Sequence, residues 1–259
     1  MVQINNTLCI NCGRCADNCA VHALFPQEDG GYRCGKLLCF GCGQCVAICP
    51  TGAISMPELE EAIDYRPETF DLSPETLLNA MRFRRSIRRF TGEKLTRQEL
   101  EQLLEAGRCS PTSSNNQGVQ FTILDQEFEA LRPRIWESFG RLTKDGPRKG
   151  LYRRYEAYLQ HPDQPDTMFY GATQMIAVTA VNTIDGCLAL ANMELLAHAM
   201  GLGSLYCGFA ATAIRTDESL REYFGISDER QLCGCLVLGR TDLQFYRTAP
   251  RKPPQAAWK

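Results

Sequence analysis

Cys9-Ile10-Asn11-Cys12-Gly13-Arg14-Cys15-Ala16-Asp17-Asn18-Cys19 and Cys39-Phe40-Gly41-Cys42-Gly43-Gln44-Cys45-Val46-Ala47-Ile48-Cys49-Pro50 follow one pattern, C-x2-C-x2-C-x3-C, thirty residues apart. The correspondence continues outside the cysteines. Leu8 answers Leu38, Ala23 answers Ala53 and Leu24 answers Ile54. The N-terminal part of the chain is therefore an internal duplication.

Thiols at these short spacings suit a cube of iron and sulfide, because three of them can leave one tight loop. The fourth, beside the proline, turns away and ligates the cluster of the other run. Cys9, Cys12, Cys15 and Cys49 are accordingly expected to hold one [4Fe-4S] cluster, and Cys39, Cys42, Cys45 and Cys19 the other. Zinc sites use two separated C-x2-C pairs, which neither run resembles. Residues 1–55 resemble a bacterial two-cluster ferredoxin. They depart from it at Ala20, where Pro50 is the counterpart. Cys34 lies outside the pattern and is read as a bystander thiol, since both clusters are already filled.

The 259 residues leave room for one large domain or two unequal ones. Hydrophobic content of 44%, charged content of 22% and a net charge of −2 describe an ordinary globular chain with no basic excess for nucleic acid. Eight of fourteen cysteines are given to metal. The opening Met1-Val2-Gln3-Ile4-Asn5-Asn6 lacks the charged and apolar regions of a signal peptide, so a reducing cytoplasm is expected. The stretch from Cys187 to Leu202 is apolar but broken by Asn192, Glu194 and His198, which reads as a buried helix rather than a membrane span.

Residues 56–73 contain Pro57, Pro67 and a run of acids and read as a linker, with a short helix around Leu59–Ala62. Ser73-Pro74 starts a helix, with serine as N-cap and proline at the first position. Thr96 and Glu99 form a capping box for the next helix, which Gly107 ends. A strand follows at Val119–Leu124, a central strand at Met175–Val181, a long helix at Cys187–Met200 and a second buried strand at Leu232–Gly239. Alternation along that last strand puts Cys233 and Cys235 on one face. The tail from Tyr246 is expected to be extended.

Three stretches in the larger part resemble the FMN-dependent nitroreductase family. They are Arg84-Arg85-Ser86-Ile87-Arg88, the loop Ser110-Pro111-Thr112-Ser113-Ser114-Asn115-Asn116-Gln117, and Gly201-Leu202-Gly203-Ser204 running on to Cys207-Gly208-Phe209. The resemblance implies an α+β domain over 74–259, with helices flanking a mixed central sheet. The expected organisation is thus a ferredoxin domain over 1–55, a linker over 56–73 and the flavin domain. Physical chemistry agrees with the motifs, since guanidinium forks suit the FMN phosphate and hydroxyl and amide side chains suit the ribityl chain and ring edge.

The resemblance gives the flavin Arg84, Arg85, Ser86 and Arg88, then Pro111, Thr112, Ser113, Asn115 and Gln117, then Cys207, Gly208, Arg251 and Lys252. It places a backbone N–H of Cys207 near flavin N5, with Gly208 allowing close approach. It names no catalytic side chain, because FMN N5 carries the chemistry. Gly118-Val119 departs from the family's Pro-Trp after the glutamine. The resemblance also implies a homodimer with FMN at its interface and the 187–200 helix as an interface element. Residues 140–169 would cover the flavin. Within them Arg148, Lys149, Arg153 and Arg154 either receive an anionic group or form a solvated face.

These readings lead to a cytoplasmic oxidoreductase with two [4Fe-4S] clusters and FMN. A ferredoxin-like low-potential donor or NAD(P)H supplies electrons, and the acceptor is a small organic molecule such as a nitroaromatic or an enone. Membrane and nucleic-acid partners are not expected. The alternative is an electron-transfer or redox-sensing module that serves a protein partner. Reductive dehalogenation and flavin destruction are further reactions open to the same fold.

Overall fold

The computed structural model describes residues 1–60, 62–70 and 72–259. It divides into two units, Met1–Asp71 with Thr112–Asn116, and Leu72–Pro111 with Gln117–Lys259.

In the first unit the duplication is a duplication of backbone. β1 (Gln3–Ile4), α1 (Arg14–Asp17) and β2 (Leu24–Pro26) are followed by β3 (Tyr32–Cys34), α2 (Gln44–Ile48) and β4 (Ile54–Ser55). β1 pairs with β4 and β2 with β3, both antiparallel, so each half lends a strand to the other. Gly13 and Gly43 precede the two short helices with φ of 76° and 74°. Asn11 and Gly41 share the left-handed region at 55° and 65°, as do His22 and Gly52 at 48° and 63°. Ala23, Leu24, Ala53 and Ile54, the paired apolar residues of the repeat, are buried. The helix expected around Leu59–Ala62 is not a helix at the residues described there, and Glu61 lies outside them. A short helix α3 stands instead at Pro67–Phe70.

The second unit begins with α4 (Pro74–Phe83), whose N-cap Ser73 accepts a hydrogen bond from the Thr76 N–H. α5 (Arg97–Arg108) carries the Thr96–Glu99 capping box. It runs one residue past Gly107, which is buried where a Cβ would meet the Phe121 ring at 2.8 Å. Then come β5 (Gln120–Leu124), α6 (Phe128–Lys144), a 3-10 turn (Gly146–Leu151), α7 (Tyr152–Gln160) and β6 (Gln174–Ala180). α8 (Thr183–Ala199), β7 (Gly203–Tyr206), α9 (Gly208–Thr216), α10 (Glu218–Tyr223) and β8 (Gln231–Gly239) complete it.

The sheet has the order β5-β6-β8-β7. Its pairings are antiparallel throughout, where mixed pairing was expected, within the expected α+β arrangement. The cause is β8. β6, α8 and β7 form a crossover that would make neighbouring parallel strands, but β8 inserts between the two and pairs antiparallel with both.

Both faces of the sheet are covered, which is why β6 is apolar at all but Gln174 and Thr179 and is buried at all seven positions. Its Met175 and Ala177 pack into the core with Ile135, Trp136 and Phe139 of α6, and its Ile176 and Val178 into the core with Leu103 of α5 and Met193 of α8. The pairing of β6 with β8 slips at Val178/Thr179, leaving Cys233 as the extra residue of a bulge. This overturns the shared face read for Cys233 and Cys235. Cys235 lies in the α6-side core while Cys233 packs against the other.

α8 starts four residues before the expected position because the Asn182 side chain caps it, accepting from the Ile184 N–H. Its apolar residues are not confined to one face, and Ile184 and Leu188 are exposed on it. Among the described residues no helix is long and apolar enough to cross a membrane.

Candidate functional site

Cys9, Cys12 and Cys15 share one cavity with Cys49, which lies thirty-four residues beyond Cys15 in sequence. Arg14, Tyr32 and Pro50 also line it. The chain reaches this arrangement because the left-handed Gly13 turns the first run tightly, while the β1–β4 pairing brings the end of the second run alongside it. Cys45 interacts with Cys39 and Cys42, and Cys34 interacts with Cys39, Cys45 and Cys19. Cys34 thus stands beside the second set of thiols, its own pushed up to about 11 by burial and by its bond with Cys39.

The backbone donates to these sulfurs in the same way in each half. The Ala23 N–H meets Cys19 Sγ at 3.2 Å and the Ala53 N–H meets Cys49 Sγ at 3.3 Å, four residues on in both cases. Gly41 N–H donates to Cys39 Sγ at 3.4 Å. Burial alone would raise Cys49. Hydrogen bonds from Thr51, Ala53 and Ile54 outweigh it and leave this thiol below its usual range. A thiolate held by peptide donors is what a cluster ligand must be, and such bonds also tune a cluster's potential. No group of three or more His, Cys, Asp or Glu side chains among the described residues is arranged to hold a single metal ion.

The second unit has an open cavity of about 550 Å³. Arg88, Cys207 and Gly208 line it, with Arg148, Leu151, Met168, Tyr170 and Phe209. Arg88 is set there by its neighbours. Ile87 and Phe90 are buried anchors, with the Ile87 N–H donating to the Ser204 carbonyl and the Phe90 N–H to that of Tyr170. Phe90 itself fits because Gly203 and Gly239 lack side chains. A Cβ on either would come within 3.0 Å of its ring.

Cys207 is buried at the N-terminus of α9, and burial pushes its thiol up to about 12. Its Sγ donates to the Met168 carbonyl at 3.4 Å. Its N–H is taken by the Cys235 carbonyl at 2.9 Å. The donor that the resemblance places at Cys207 is thus already engaged. The N–H at Gly208, first residue of α9, has no intrahelical acceptor.

The other residues given to the flavin lie as follows. Arg84 is ion-paired with Glu194 of α8, and Ser86 is half-buried. Arg85 borders a different cavity, of about 220 Å³, with His198 and Thr241. Pro111 is exposed, and Thr112, Ser113 and Asn115 group with the first unit. There the Asn115 side-chain amide donates to the Gly41 carbonyl at 3.1 Å, between Cys39 and Cys42. Ser114, Asn115 and Gln117 all have φ near +50°, an unusual concentration of left-handed non-glycine residues in one loop. Arg251 and Lys252 are exposed in a tail without regular structure.

Of the four cations singled out in 140–169, Arg148 lines the 550 Å³ cavity, and Arg154 lies 5.2 Å over the Phe209 ring while donating to the Thr167 carbonyl. Lys149 and Arg153 are exposed. Tyr170 joins the wall through a left-handed backbone at φ 56° followed by Gly171, and no motif announced it.

Residues 81–240 match the nitroreductase family. The chain belongs to that family. Residues 8–53 match the 4Fe-4S dicluster domain, so this nitroreductase-family chain carries an iron-sulfur domain in front. Among curated proteins it is similar to an NADPH-dependent oxidoreductase of Staphylococcus aureus strain USA300. The two are 27% identical over 160 residues, 60% of this chain and 60% of the relative's length.

Among solved structures it is similar to an FMN-bound nitroreductase of Bacteroides fragilis. The TM-score is 0.58 and the identity 22%, over 71% of this chain and 98% of the other. An iodotyrosine deiodinase bound to FMN and 3-iodo-L-tyrosine superposes with a TM-score of 0.51 at 19% identity, over 71% and 98%. At these identities the likeness to the family's structures is one of fold.

Proposed function

We propose that the protein is an FMN-dependent oxidoreductase in which two [4Fe-4S] clusters feed electrons to the flavin for reduction of a small organic acceptor such as a nitroaromatic or an enone. The observation that carries this reading is the gathering of Cys49 with Cys9, Cys12 and Cys15 at one cavity, in a chain of the nitroreductase family.

The residues fit the groups. Cys9, Cys12, Cys15 and Cys49 would hold the first cluster, and Cys39, Cys42, Cys45 and Cys19 the second, with Ala23, Gly41 and Ala53 donating to sulfur. The 550 Å³ cavity has aromatic and aliphatic walls for a planar ring and Arg88 for an anionic group. When bound, the clusters supply single electrons and FMN supplies their conversion to a hydride equivalent at N5. Gly208, at the positive end of α9, offers a backbone donor and favours negative charge at the cavity wall. Phe209 and Met168 keep water from that wall. The relatives found with FMN bound support the cofactor, and the exposed Ile184 and Leu188 on α8 support a homodimer that completes the site.

The test is anaerobic stopped-flow reduction with reduced ferredoxin and with NADPH in turn. Flavin bleaching by ferredoxin that is lost when Cys39 and Cys42 are replaced by alanine supports the route. Rapid bleaching by NADPH, with none by ferredoxin, overturns it. That outcome would favour direct nicotinamide reduction, the reading suggested by the NADPH-dependent relatives.

A further inference from the structure

The 550 Å³ cavity has two cations on its wall, Arg88 and Arg148, and no acidic residue among those lining it. This contrasts with the arginines flanking Arg88. Arg84 is paired with Glu194 and Arg89 with Asp242. Neither Arg88 nor Arg148 has a carboxylate partner among the described residues. Apart from Cys207, Gly208 and Thr212 the rest of the wall is aromatic and aliphatic. The Phe139 and Phe209 rings pack at a tilt of 52° with centres 5.2 Å apart, and the Arg154 guanidinium of α7 lies over Phe209. Arg154 therefore serves as a brace for the ring, while Arg148 on the 3-10 turn presents an unneutralised charge to the space.

An apolar, ring-lined cavity with one uncommitted guanidinium selects for flat molecules that carry a negative group, because a neutral ligand leaves that cation without a partner and a cationic one is repelled. In the functional reading Arg88 belongs to the flavin, which leaves Arg148 for the acceptor. We propose that the acceptor is an aromatic anion, and that Arg148 determines this specificity by holding its carboxylate. The inference rests on the flavin reading for the assignment of Arg88.

The experiment compares 4-nitrobenzoate with 4-nitrobenzyl alcohol. Calorimetry on the oxidised holoprotein gives binding, and steady-state turnover with reduced ferredoxin or NADPH supplied as the donor gives kcat/KM. The carboxylate is expected to bind about tenfold more tightly than the alcohol, the usual scale of one charge-assisted hydrogen bond. Arg148→Gln is expected to abolish that preference, with the change in KM rather than kcat. Arg148→Glu is expected to reverse it toward 4-nitrobenzylamine. Equal binding of carboxylate and alcohol by the unaltered protein overturns the proposal, as does a preference that survives in both variants. Flavin content, read from the absorbance of the same samples, reports separately on the functional reading. A protein that retains no FMN but still prefers the carboxylate would sink that reading alone.

Discussion

Arg84 Nη1 lies 2.7 Å from Glu194 Oε1, joining the first arginine of the Arg84–Arg89 run to the middle of α8. The carboxylate is 9% exposed and the guanidinium 23%. Burial holds Glu194 above the usual carboxylate range despite the arginine, and the same arginine helps to keep His198 below the usual imidazole range after burial. Removing one partner leaves the other uncompensated. Arg84→Met should cost about 2–3 kcal/mol, or a fall in Tm of roughly 5–10 °C at neutral pH. With its folded pKa raised, Glu194 takes up a proton more readily folded than unfolded. The loss should therefore shrink as pH falls and Glu194 protonates, and grow again as pH rises. Arg84→Met with Glu194→Leu should melt near the unaltered protein; a double variant as unstable as the single one would argue against pairing as the cause.

Cys49 shares its cavity with Cys9, Cys12 and Cys15 and not with its sequence neighbour Cys45. Cys49→Ala should therefore release the first cluster and leave the second. Iron content should fall by about half. Anaerobic alkylation followed by mass spectrometry should label Cys9, Cys12 and Cys15 while Cys39, Cys42, Cys45 and Cys19 stay protected. The reverse pattern would mean that each run keeps its own four ligands.

The Cys207 thiol, raised to about 12 by burial, stays protonated across the neutral range. It is a hydrogen-bond donor to Met168 and not a nucleophile. Iodoacetamide at pH 8 should label the exposed Cys109 in the native protein and leave Cys207 unmodified. Labelling of Cys207 at a comparable rate would show a thiolate at the cavity wall.

Asp217 caps α10, accepts from Ser219 and pairs with Arg141, and its carboxyl is held below the usual range chiefly by the Ser219 hydroxyl. A depressed folded pKa contributes stability that is present above the unfolded value and is lost as pH falls through the folded one. Asn caps a helix as well as Asp, so Asp217→Asn removes the charge alone. Its Tm should be lower by about 1–3 °C at pH 7, with the gap closing below about pH 4. A gap that persists at low pH would point to the cap rather than the charge.

What was legible in the sequence was whatever local chemistry fixes. The cysteine spacings, the Ser73 and Thr96 caps and the apolar run of β6 all depend on residues a few positions apart. What was hidden depends on strands meeting. The antiparallel insertion of β8 and its bulge at Cys233 are decided by pairing partners far along the chain. The same holds for the cavity. Cys207 and Gly208 were marked by motif, but Cys207's N–H is spent on β8, and Tyr170 enters through a left-handed turn that leaves no trace in composition. Arg84 looked free for phosphate because Glu194 lies 110 positions away.

The matched halves of the first unit make it a comparison with itself. Asn11 and Gly41, and likewise His22 and Gly52, occupy one backbone conformation with different side chains. Each half thus records a substitution that the other has not tried. Gly52 has open space around a Cβ, so histidine there would meet only the conformational cost already met at His22. Exchanging residues between halves is the gentlest way to engineer one cluster's surroundings without disturbing the other's.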